Sequence, residues 1–296
     1  MSHEIRTLCV TGAGQMGAQI ALQAALHGLT VRLHDIDDAQ LVRAIEGNRK
    51  HLDRRVEKGR ATAEEIAAAL ARVTTTSDLA KACADADFVL EAVVERLEVK
   101  RQVFAALDRH APPHAILATN SSYLGSSQIA DATARPERVL NMHFFYPPLV
   151  MKLVEVVRHE RTADEVVDAT VELARRLGKT PVRVNKELPG FLVNRILRAI
   201  TNEAYALLEA GVATFDDIDR ACELGLNHPM GPFRLSDFSG LDIGYNARLE
   251  IYEASGDAAD RPPEALALRV ERGDLGRKSG CGFYDYSTQP PTPTED

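Results

Sequence analysis

Gly12, Gly14 and Gly17 stand in the run Gly12-Ala13-Gly14-Gln15-Met16-Gly17, and Asp35 ends the next apolar run, Val31-Arg32-Leu33-His34. Glycines at this spacing between a strand and a helix can hold a dinucleotide. Gly12 permits a tight turn, Gly14 leaves room for a pyrophosphate, and Gly17 lets the helix pack on the strand. The helix N-terminus, at Gln15 and Met16, offers unpaired N–H groups to phosphate. Asp35 can accept both hydroxyl protons of an adenine ribose and would repel a 2′-phosphate, so the pattern favours NAD over NADP.

A second set of residues could move a proton. His143 closes an apolar run just before a proline-rich turn, and Glu155 lies inside another apolar run, 153–157. A carboxylate there is costly to bury unless paired. An imidazole partner would gain basicity and a fixed tautomer, which is what a general base for alcohol oxidation needs. The residues alone leave open that His143 ends its strand and Glu155 faces water. A third set is basic: Arg49, Lys50, Arg54, Arg55, Lys58 and Arg60 face only Asp53 and Glu57. Such a run is usually a solvated helix face, and it could equally dock a polyanion. His228, before Pro229, reads as structural.

The elements that must position these groups alternate through the first half. Strands are predicted at 7–10, 30–34, 87–91, 115–118 and 139–143, with a further one near 180–184. Helices are predicted at 15–27 and 41–58, and Thr62-Ala63-Glu64-Glu65 has the form of a capping box. This is an α/β pattern: a Rossmann-type, doubly wound, mostly parallel sheet with helices on both faces. From Pro189-Gly190 the character changes. Leu192, Val193, Ile196, Leu197, Ile200, Ala204, Leu207 and Leu208 form one apolar stripe of a helix over 191–210. Thr214 opens another, and 242–253 and 263–272 also read as helical. The expected organisation is a dinucleotide-binding domain over 1–186, an all-helical domain over 187–286 and a mobile, Pro/Thr-rich tail over 287–296.

Composition excludes several classes. The 296 residues carry a formal net charge of −8, which gives no global field for nucleic acid. The scattered Cys9, Cys83, Cys222 and Cys281 form no CxxC pair, so no metal site is expected, and a reducing cytoplasm suits them. No apolar run is long enough to span a bilayer, and the N-terminus lacks the regions of a signal peptide.

Over about residues 5–286 the chain resembles the L-3-hydroxyacyl-CoA dehydrogenases, the family that includes 3-hydroxybutyryl-CoA dehydrogenases. The likeness rests on an ordered set: the glycine run, Ala118-Thr119-Asn120-Ser121-Ser122, His143-Phe144-Phe145 with Val150-Met151-Lys152-Leu153-Val154-Glu155-Val156, Pro189-Gly190-Phe191-Leu192-Val193-Asn194-Arg195, His228-Pro229-Met230-Gly231-Pro232-Phe233, and Gly276-Arg277-Lys278-Ser279-Gly280-Cys281-Gly282-Phe283-Tyr284. The resemblance implies that His143 is the catalytic base, oriented by Glu155. It implies that Ser122 bonds the substrate's 3-oxygen and Asn194 positions the substrate. Glu95, Lys100 and Lys278 match positions lining the nicotinamide half of the NAD site. An acyl-CoA substrate turns the basic run into a phosphate-docking candidate, with Lys58 the favoured residue. The helical domain would close the substrate cleft and form a homodimer.

One position departs from the family pattern: Tyr146 stands where Asn is usual, followed by Pro147-Pro148-Leu149. That change bears on acyl-chain range and cofactor contacts. Related dehydrogenases acting on L-gulonate or carnitine share the dinucleotide site, and a non-catalytic NAD-binding protein would need none of Ser122, His143, Glu155 and Asn194.

Overall fold

The computed structural model describes residues 4–59 and 61–295; residues 1–3, Arg60 of the basic run and Asp296 lie outside the described residues. The chain divides into two compact units, Met1–Leu192 and Val193–Asp296.

The first unit runs β1 (Thr7–Thr11), α1 (Gln15–Leu26), β2 (Thr30–His34), α2 (Asp38–Glu57), α3 (Ala63–Ala71), β3 (Val73–Thr76), α4 (Leu79–Cys83), β4 (Phe88–Glu91), α5 (Leu97–His110), β5 (Ile116–Thr119), α6 (Ser127–Ala130), β6 (Val139–Phe144), β7 (Leu153–Val157), α7 (Asp164–Arg176) and β8 (Thr180–Val184). The sheet order is β3-β2-β1-β4-β5-β6-β7-β8. The first six strands pair in parallel; β7 turns back antiparallel on β6, and β8 runs parallel to β7. Central strands such as β4 are buried along their length because helices cover both faces. One core cluster joins α1 and α7 to the sheet, and a second joins α4, α5 and α6 to its other side. The capping box forms as expected, with Thr62 and Glu65 bonded reciprocally.

In the second unit, α8 (Val193–Glu209), α9 (Phe215–Gly225), α10 (Pro232–Ser239), α11 (Leu241–Ser255) and α12 (Glu264–Arg272) surround an aromatic core of Tyr205, Phe215, Phe233, Phe283 and Tyr284. Buried Asp219 accepts the Phe233 and Arg234 N–H groups at the start of α10 (2.8 and 2.9 Å) and the Tyr284 hydroxyl (2.8 Å). Burial raises the carboxyls of both Asp219 and Asp237 above the ordinary range, against the hydrogen bonds they accept. Among the described residues, no helix is long and apolar enough to cross a membrane.

Two boundaries differ from the sequence expectation. The division falls after Leu192 rather than near Lys186, because the connecting segment is fastened to the first unit. Ser126 Oγ and the Ser127 N–H donate to Glu187 (2.5 and 3.1 Å), and Phe191 packs with Val157 and Val184. The stretch expected to be a mobile tail contains β10 (Thr292–Pro293), paired antiparallel with β9 (Tyr284–Asp285), and the Thr294 N–H donates to the Phe283 carbonyl at 3.0 Å.

Candidate active site

The three glycines differ in what surrounds them. Gly12 has φ +99°, and a Cβ there would lie 2.5 Å from the Ala92 carbonyl oxygen. A Cβ on Gly17 would overlap the Gly12 carbonyl oxygen. A Cβ on Gly14 would meet no atom within 4 Å. Two glycines are therefore required by the protein's own backbone, while the third borders space that the protein does not fill. Gly14 is the N-cap of α1 and supplies no capping side chain, so the helix's first N–H groups, on Gln15, Met16 and Gly17, adjoin that space. This fits a dinucleotide pyrophosphate.

Asp35 does more than the sequence suggested. Its Oδ2 accepts the Ala13 N–H at 2.7 Å and its Oδ1 the Asp37 N–H at 3.0 Å. Each carboxylate oxygen keeps further acceptor capacity for ribose hydroxyls. Gln40 Nε2 braces the same turn through the Ala13 carbonyl at 2.7 Å. Beneath it, buried His34 sits with Nδ1 2.7 Å from Thr11 Oγ1, and burial pushes its imidazole below the ordinary value.

The His143–Glu155 pair forms. The β6–β7 register sets His143 directly opposite Glu155, so both side chains share one face of the sheet. His143 Nδ1 lies 2.8 Å from Glu155 Oε2, with side-chain exposures of 6% and 1%. With Nδ1–H donated to the carboxylate, the neutral ring presents Nε2 as the free base. Phe145 and Phe191 flank the imidazole, at centroid distances of 4.5 and 5.7 Å. Glu155 Oε1 accepts the Leu192 N–H at 3.1 Å. Asn120 Oδ1 accepts the Phe144 N–H at 2.9 Å and so ties the end of β5 to the end of β6. Half-buried Ser122 lies in the bend that follows.

A second buried cluster occupies the ends of β4 and β5. Lys100 Nζ, 1% exposed, lies 2.7 Å from Glu91 Oε1 and 3.1 Å from Glu95 Oε2. Glu91 also accepts the Val93 N–H and the Thr119 hydroxyl, each at 2.7 Å. Ser121 Oγ donates to Glu95 and accepts the Leu124 N–H at 2.8 Å. Burial alone would raise the Glu95 carboxyl, but Lys100, Ser121 and the Tyr123 N–H together hold it below its ordinary value. Glu95 is thus the exposed member, and Lys100 lies underneath as its support.

The loop between β6 and β7 is fastened from below. Buried Lys179 donates from Nζ to the Met151 carbonyl at 2.9 Å and to that of Pro148, and burial lowers its ammonium pKa. Leu149 of this loop packs in the same cluster as Leu52 of α2. Tyr146 is exposed on the loop. On α2, Leu41, Ala44, Asn48 and Leu52 face inward, while Arg49, Lys50, Arg54 and Lys58 are exposed.

Asn194 and Lys278 belong to the second unit. Asn194 stands in the first turn of α8, and the Lys278 ammonium is paired with Asp242 at 2.6 Å. Sequence reasoning assigned no role to Glu91, Thr119 and Ser121, and missed Lys179 and the Leu192 N–H. Glu91 had a signal, an acid ending the apolar run Phe88-Val89-Leu90; a backbone donor such as Leu192 has none.

The sequence profile of the 3-hydroxyacyl-CoA dehydrogenase NAD binding domain matches residues 7–188, and that of the 3-hydroxyacyl-CoA dehydrogenase C-terminal domain matches residues 190–286. A probable 3-hydroxybutyryl-CoA dehydrogenase of Bacillus subtilis is 43% identical over 96% of this chain and 98% of its own. A 3-hydroxyadipyl-CoA dehydrogenase of Escherichia coli is 42% identical over 98% of this chain and 61% of its own. The crystal structure of Mycobacterium tuberculosis FadB2 superposes with a TM-score of 0.88 at 41% identity, covering 96% of this chain and 100% of that one.

Proposed function

Since the chain belongs to the 3-hydroxyacyl-CoA dehydrogenase family, a family of NAD-dependent oxidoreductases, we propose that it oxidises a short L-3-hydroxyacyl-CoA, such as 3-hydroxybutyryl-CoA, to the 3-ketoacyl-CoA. The observation that carries the mechanism is the buried Nδ1–Oε2 bond of the His143–Glu155 pair, 2.8 Å long. Bound NAD supplies the acceptor for the hydrogen leaving C3. His143 Nε2 takes the hydroxyl proton, and Glu155 stabilises the imidazolium as it forms. Ser122 donates to the oxygen that gains charge. In the reverse direction the imidazolium returns its proton to that oxygen. Glu95, supported by Lys100, would border the nicotinamide of bound NAD. The substrate-positioning role of Asn194 and the cofactor role of Lys278 are part of the same proposal.

The exposed stripe Lys50, Arg54 and Lys58, at helical spacing on α2, binds the CoA phosphates. Two observations support this: the salt bridges among the described residues engage none of the three, and α2 packs through Leu52 beside the loop that follows His143. Exchanging Lys58 for Glu is expected to raise KM for a CoA thioester and leave an N-acetylcysteamine thioester, which lacks the phosphates, unaffected. Equal effects on both would remove the stripe from the site.

The protein acts as a cytosolic homodimer through the second unit. There, Ile196 on α8 and Ile243 on α11 are exposed by 60% and 61%, and Tyr245, Leu249 and Tyr252 line a groove of about 820 Å³. Sedimentation of a monomer at micromolar concentration would overturn that assembly.

The deciding experiment follows NADH oxidation with acetoacetyl-CoA, repeated with NADPH. Turnover with NADH, and much less with NADPH, is expected. Turnover of L-gulonate or carnitine instead, or NAD binding with no turnover at all, would replace the reading.

A further inference from the structure

Phe191 has a left-handed backbone, φ 46°, although it is aromatic and 1% exposed. A residue with a Cβ is held in that region only at a cost, and such strain concentrates at functional sites. The geometry around it shows what the strain accompanies. Gly190, also at positive φ (78°), and Phe191 complete a turn in which the Phe191 N–H donates to the Leu188 carbonyl at 2.9 Å. The turn delivers the next N–H, that of Leu192, to Glu155 Oε1 at 3.1 Å. The Phe191 ring meanwhile packs against Val157 and Val184, 5.7 Å from the His143 ring centroid.

We propose that residues 190–192 are a positioning element for the catalytic pair, acting through Glu155; the inference rests on the His143–Glu155 reading above. The terminal torsion of a glutamate is soft and roughly two-fold. A carboxylate bonded through one oxygen alone can swing its plane, and a swing of Oε2 turns the imidazole with it. The Leu192 N–H on Oε1 helps to hold that plane, beside the carboxylate's other contacts. Phe191 is thus a positioning residue whose backbone, rather than whose bulk, matters for turnover.

The test replaces Leu192 by its α-hydroxy acid analogue, which keeps the side chain and exchanges the N–H for an ester oxygen. The expected result is a kcat about tenfold lower, in keeping with a lost bond to a charged group, and KM values within about twofold of the parent. In a Glu155→Gln background the same ester is expected to change kcat by less than about twofold, because its route is already cut. A backbone-conformation test stands beside it. Phe191→Gly accepts the left-handed region and Phe191→Val does not, so Gly is expected to retain the higher kcat although Val fills more of the pocket. The reverse order, or an ester that leaves kcat unchanged while Glu155→Gln lowers it, overturns the positioning role alone. An unchanged kcat in Glu155→Gln itself overturns the pair, and this inference with it.

Discussion

Glu91, at the end of β4, and Glu155, at the centre of β7, are both fully buried carboxylates of one sheet, and they serve opposite purposes. Glu91 meets a lysine, whose ammonium has donors only. Its two oxygens take three donors, each at 2.7 Å: Lys100, the Val93 N–H and Thr119. Glu155 meets an imidazole, whose second ring nitrogen can donate or accept. The partner, and not the depth of burial, separates a brace made only of donors from a pair that keeps a second ring nitrogen for other contacts.

The contrast can be broken at either member. The largest expected effect is on His143: His143→Gln should lower kcat by about 10²–10⁴, as for loss of a positioned general base, with the melting temperature nearly unchanged. A large loss of stability there would make His143 a brace too. Next, Glu91→Gln leaves the Lys100 charge buried with less compensation. Denaturant titration should show a loss of about 3–5 kcal/mol, with any fall in kcat secondary. A stable Glu91→Gln protein with crippled turnover would move Glu91 into the chemistry.

The smallest effect concerns Glu95. Its folded pKa lies below the ordinary value of 4.5, so the folded state binds fewer protons than the unfolded chain between the two values. The associated stability is complete above pH 4.5 and is lost as pH falls through the folded value. Because the side chain is 42% exposed, solvent screens the effect to below about 1 kcal/mol. Glu95→Gln should flatten the acid side of the stability–pH curve by that amount. An unaltered curve would make the Lys100–Glu95 contact energetically idle.

Much of this arrangement was legible in the residue order, for physical reasons. The buried central strands announced themselves as unbroken apolar runs, and β1, β2, β4, β5 and β6 fall within a residue or so of expectation. The short edge strand β3 did not, since Val73-Thr74-Thr75-Thr76 is half-exposed and has no apolar run to betray it. The helix expected from 191 begins at Val193, because Phe191 has a left-handed φ that periodicity cannot report. The glycine turn was readable from residue type and spacing, whereas the residues alone left the His143–Glu155 partnership open, and the family resemblance supplied it. The bracing of Asp35 by Ala13 was not, because main-chain donors leave no mark on side-chain identity.

The antiparallel return of β7 on β6 has a further consequence. The ladder sets His143 across from Glu155, and Phe145 flanks the imidazole, so the stretch from Tyr146 to Lys152 lies outside the register that pairs them. That stretch carries Tyr146, Val150 and Met151 outward. A change of length within that stretch can therefore leave the His143–Glu155 register as it is. An edit that slips the ladder by a single residue would instead turn Glu155 to the opposite face.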